Sequence, residues 1–237
     1  MHQAMAVGGR ITLAAGTIGM GVLCLVYAGL DPHWQRSLEA WNTAPLAYAN
    51  GAILIAASAA LVIPQTAKFG GYALAAVLAL WALFEAPRVL AGVEAAWLAP
   101  AEILAVAFGA WIATGAEKAK RIVHVLFGVC AITFGAAHFL YLDFTASMIP
   151  AFIPFHLFFA AFTGGGHVAA GLSLMSGILA WLGSALLALM FSLFVVLLHL
   201  PRVLADPTNR IEWTMLCHAT ALTGAAWLLA STLWKSR

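Results

Sequence analysis

Four histidines in the second half of the chain, His138, His167, His199 and His218, stand within or at the ends of strongly apolar segments. An ionisable side chain at the centre of a bilayer costs roughly 2.5–3.5 kcal/mol, so such residues suggest function. A neutral imidazole can donate a hydrogen bond to a carbonyl, and it exchanges its proton near neutral pH, which suits a proton relay to a quinone. Imidazole is also the commonest metal ligand, and facing helices of a bundle can present several to a metal ion or a haem. On a third reading each ring bonds a neighbouring helix and adds about 0.6 kcal/mol to packing. No H-x-x-x-H spacing favours ligation.

His138, His199 and His218 fall at similar depth near the same ends of their segments, which predicts that they line one cavity. With Arg202, which would steer an anion, they are the candidate catalytic groups. Tyr141 and the run Gly164, Gly165, Gly166, His167 are the candidate ligand-binding residues, because small residues let a flat headgroup or a neighbouring backbone come close. Arg88 and Arg202 each follow a proline expected to end a helix. Their planar forks can grip a carboxylate, a sulfur oxyanion or a lipid phosphate. The alternative pairs Arg202 with Glu212 or Asp206, and Arg88 with Glu85 or Glu94.

The elements that must position these groups follow from composition. Of 237 residues 64% are hydrophobic and 8% charged, and mean hydropathy is +0.97. A soluble domain carries about 25% charged residues. The chain is therefore expected to be an all-α, polytopic membrane protein in contact with lipid. Its net charge of +2 says nothing about nucleic acid, and no basic patch with interleaved aromatics points to it, so no nucleic-acid partner is expected. Cys24, Cys130 and Cys217 form no C-x-x-C and imply no disulfide framework. Eight apolar segments are predicted to span, at 11–30, 45–63, 69–84, 97–116, 122–142, 154–176, 179–198 and 213–234. Lysine and arginine favour both termini in the cytoplasm of an inner membrane, chiefly through Arg10, Lys68, the "EKAKR" block at 117–121, Lys235 and Arg237.

"PRVLA" occurs at 87–91 and again at 201–205. Aligning the copies sets Tyr27 opposite Tyr141 and Trp111 opposite Trp227, once one loop is allowed two extra residues. Cys24, Glu85 and Glu102 then fall opposite His138, His199 and His218. The expectation is two four-helix bundles, 1–116 and 117–237, in parallel repeat about an axis along the membrane normal. The polar positions are copied, but the histidines belong to the second copy.

The stretches "GAAHFLYLDFTASMIPAFIP" (135–154), "TGGGHVAAGLSLMSG" (163–177) and "LHLPRV" (198–203) resemble the DoxX family of small four-helix membrane proteins. The resemblance covers residues 121–233 and rests on His138, Tyr141, Phe144, Thr145, Pro150, Pro154, Gly164, His167 and Arg202; the first half carries only a degraded version. It implies a membrane redox role, since the family's namesake is a subunit of an archaeal thiosulfate:quinone oxidoreductase. Other members are linked with thiol and oxidative-stress proteins. The leading expectation is thus a quinone-like ligand in the second bundle, with a soluble redox protein or another subunit as partner. Haem or metal binding, a non-catalytic scaffold and a small-molecule transporter are the alternatives.

Overall fold

In lipid an uncharged apolar run must satisfy its backbone internally, and the helix does so within one segment. The computed structural model describes residues 2–116 and 120–234, and among these residues there is no strand. The helices are α1 (His2–Val26), α2 (Ala44–Val62), α3 (Ala67–Leu90), α4 (Leu98–Ala113), α5 (Lys120–Leu140), α6 (Leu142–Ser147), α7 (His156–Ser176), α8 (Ala180–Phe194), α9 (Leu200–Ala205) and α10 (Arg210–Trp234). Among the described residues 7 spans are long and apolar enough to cross a membrane, with α8 and α9 joined as Ala180–Ala205. The chain thus has the architecture of a multi-pass membrane protein.

Of the eight expected spans, the fourth is the exception. α4 is apolar but has 16 residues, about 24 Å at 1.5 Å per residue. Pro100 stands in its first turn, and Gly115 at φ +73° closes its far end. Two helices run further than their prolines suggest. α3 continues through Pro87 to Leu90. The α8 span continues through Pro201 because a π turn, Val195–His199, widens the backbone just before it. Such a turn relieves the clash between a proline ring and the carbonyl four residues earlier.

α10 is the central pillar. In its most apolar window 67% of the residues are buried, against 22% for the Ala180–Ala205 span. It packs along α1 and also against α4 and α8. Small residues permit this closeness: a Cβ on Gly16 would collide with the α10 backbone at Ala221, and one on Gly224 with α1 at Leu13. Thr17 and Ser58 add a 2.6 Å hydrogen bond between α1 and α2. The N-terminal and C-terminal halves are therefore packed together through α1, α4 and α10. The expected boundary between them adjoins residues 117–119, which lie outside the described residues.

The long helices alternate in direction, with α8 and α9 continuous, so one face gathers loops 27–43, 91–97, 141–155 and 206–209. Among the described residues cations are evenly shared between the two faces. Arg10, Lys68, Lys120 and Arg121 lie on one, and Arg36, Arg88, Arg202 and Arg210 on the other. Lys118, Lys235 and Arg237, which tip the expected orientation, lie outside the described residues.

Candidate functional site

The loop between α1 and α2 is not a simple surface connection. Its polar residues turn inward between the helices, and the sequence explains how. α1 ends at Val26, and Ala28, at a φ of +47°, reverses the chain. Arg210, from the first turn of α10, donates to the carbonyls of Gly29 (3.0 Å) and Leu30 (2.7 Å). Its guanidinium also lies over the Tyr27 ring at 4.9 Å. Asn42 closes the loop by accepting from the Leu30 N–H at 2.8 Å.

Asp31 organises the turn that follows. Its Oδ1 accepts from the backbone N–H groups of His33 (2.9 Å) and Trp34 (2.8 Å), an aspartate turn of the kind Asp-Pro favours. Its own N–H donates to Gln35 Oε1 at 2.9 Å. The remaining oxygen, Oδ2, takes a 2.7 Å hydrogen bond from His218 Nε2. Both partners are buried. Burial pushes the Asp31 carboxyl up, but the His218 charge, its hydrogen bond and the two backbone donors outweigh that and hold it at about 2.

Trp34 is fully buried and stacks on the His218 ring at 3.8 Å and 11°. Its indole N–H donates to Glu102 Oε2 on α4 at 2.7 Å. His33 Nε2 approaches the same oxygen at 3.3 Å as an ion pair without hydrogen-bond alignment. Burial pushes the His33 imidazole down, yet Glu102 and Asp31 prevail and leave it raised above its ordinary 6.5. Glu85 on α3 is fully buried; it accepts from the Ser37 N–H at 2.8 Å and pairs with Arg88 at 3.3 Å. One loop therefore bonds Glu85 of α3, Glu102 of α4 and His218 of α10.

His199 closes the π turn and is buried within electrostatic range of His218, Glu102 and Arg202. The Nδ1 atoms of His199 and His218 are buried and have no hydrogen-bond partner among the described residues. Arg202 is exposed and pairs with Glu212 at 3.2 Å.

His138 and His167 form a separate pair between α5 and α7, with ring centres 4.9 Å apart. His138 Nδ1 donates to the Phe134 carbonyl at 2.8 Å. Phe134, Phe191 and Phe194 surround His167, whose Nδ1 is also buried without a partner. The three glycines differ. A Cβ on Gly164 would meet the His138 Cβ at 2.8 Å, Gly165 faces open space, and Gly166 faces Met190. Tyr141 stacks on Trp97 at 6.4 Å, apart from both groups.

Of the candidates read from the sequence, His138 and His167 thus come together, and His199 neighbours His218. Asp31, His33, Trp34 and Gln35 were absent from that reading. The available signal was "LDPHWQR", a polar run with an Asp-Pro turn between two spans. Among the described residues no three His, Cys, Asp or Glu side chains gather in a group fit to hold a metal ion. Fold and site define a multi-pass helical membrane protein with a buried histidine–carboxylate network. No protein-family model, curated protein or solved structure matches the chain.

Proposed function

We propose that this protein is a membrane redox component in which the His218–Asp31 pair relays protons to a quinone-like, lipid-soluble ligand. The reading rests on one observation. His218 gives Nε2–H to a buried carboxylate and keeps Nδ1 buried without a partner among the described residues, within electrostatic range of His199, whose Nδ1 is likewise buried and without one. A carboxylate on one nitrogen fixes the tautomer and ring orientation and leaves Nδ1 as the nitrogen that would exchange a proton with a ligand. Electrons would come from a soluble redox partner or another subunit. The resemblance of residues 121–233 to DoxX proteins supports the redox assignment.

The test is extraction of purified protein with organic solvent, with chromatography and ultraviolet absorbance of the extract. A quinone retained by wild type and reduced several-fold in His218→Ala, at unchanged helicity, is expected. Retention equal in both, or an extract free of quinone from protein purified out of quinone-rich membranes, would refute the reading.

A further inference from the structure

We propose that the cavity beneath the α1–α2 loop is a binding site for a phosphate group, carried by a lipid headgroup or by free phosphate. This inference does not depend on the quinone reading.

The cavity has a volume of about 530 Å³ and is lined from three separate elements: Arg36 and neighbouring loop residues, Arg88 at the end of α3, and Arg210 at the start of α10. Three arginines and two carboxylates, Asp31 and Glu39, line it, and existing bonds use only some of the guanidinium donors. Both oxygens of Asp31 are occupied by His33, Trp34 and His218. Arg88 is balanced by Glu85. Arg36 spends one donor, Nε, on the Pro32 carbonyl at 3.2 Å. Arg210 bonds two carbonyls through one terminal nitrogen, and its buried Nε has no partner among the described residues. Glu39, which is exposed, is the carboxylate that opposes them.

The donors also suit a phosphate geometrically. Planar guanidinium forks grip paired oxygens, and forks from different elements can hold a tetrahedral group from several sides. The side-chain amide of Asn42, whose oxygen is already used by Leu30, adds a further donor to the lining. The volume exceeds that of a bare ion and leaves room for an organic substituent. Trp41, 70% exposed, and Tyr27, 39% exposed, flank the same loop. Exposed aromatics of this type sit at headgroup depth, where basic pockets between helices hold lipid phosphates.

The experiment uses the full chain, purified in detergent and also reconstituted in nanodiscs. Inorganic phosphate is titrated against thermal unfolding, with chloride keeping ionic strength constant. Phosphatidylglycerol retention is measured by native mass spectrometry. Saturable stabilisation by inorganic phosphate assigns the site to the free anion. Retained phosphatidylglycerol without a phosphate response assigns it to the headgroup. In either case Arg36→Gln should weaken binding by about tenfold or more, Lys68→Gln on the opposite face should not change it, and Glu39→Gln should strengthen it several-fold. Glu39→Gln removes no bond of the fold described above, so it remains informative if Arg36→Gln fails to fold. No saturable response to either probe, an equal loss in Lys68→Gln, or an indifferent Glu39→Gln would overturn the proposal.

Discussion

His218 and Asp31 stand 187 residues apart in the chain, yet His218 Nε2 donates to Asp31 Oδ2 across 2.7 Å in a buried site. The contact joins the last helix to the first loop. It also makes the α1–α2 loop part of the packed interior, with consequences for stability and pH dependence.

Asp31 has its carboxyl held at about 2, below its ordinary 3.8. A group depressed on folding contributes stability that is present above its unfolded value and lost as pH falls through its folded one. Melting temperature should therefore decline between about pH 4 and pH 2. Asp31→Asn should flatten that decline and cost on the order of 3 kcal/mol at neutral pH, because it removes the carboxylate from a buried hydrogen-bonded pair. An acid limb identical to wild type in a melting series would reject this account.

The opposite sign applies to His33, raised above 6.5 by Glu102 and Asp31. Its contribution is complete below 6.5 and disappears as pH rises through the folded value. Wild type should thus lose stability above neutrality, and His33→Gln should lose less over the same range. Thermal melts in detergent at pH 6 to 9 measure the difference, and parallel curves would count against the pair.

Trp34→Phe keeps an aromatic ring over His218 but removes the donor to Glu102. The expected cost is about 1–3 kcal/mol, the penalty for withdrawing a partner from a buried acceptor. Chemical denaturation monitored by circular dichroism tests it; a neutral substitution would mean that Glu102 finds another donor.

Arg88 and Arg202 follow the same motif but hold different partners. Arg88 compensates the fully buried Glu85, whereas the Arg202–Glu212 pair is solvent-accessible. Arg88→Ala should cost roughly 3 kcal/mol and Arg202→Ala less than about 1 kcal/mol. Equal melting temperatures for the two variants would contradict this ranking.

Orientation is open to direct measurement. A reporter fused after Arg237 should report the cytoplasm, and one inserted in the 206–209 loop the opposite side. Reversed signals would place the Asp31–His218 site at the cytoplasmic face.

Composition alone determined that the chain is all-helical and membrane-embedded. With so few charges, long apolar runs have no stable alternative to helices in lipid. Periodicity located most spans because helix length is matched to bilayer thickness. The histidines were legible as candidates because a charge inside lipid is costly wherever it points. Their partners were not. His138 meeting His167, and His218 meeting Asp31, depend on how helices are rotated and which ones touch. In lipid that choice is made by close packing at residues such as Gly16, Gly164 and Gly224, where no hydrophobic force sorts the faces. Likewise, "LDPHWQR" reads as a solvated connection until α3, α4 and α10 bring the buried Glu85, the part-buried Glu102 and the buried His218 beneath it. Local sequence marks where polar groups lie; only the packed helices decide which of them bond to one another.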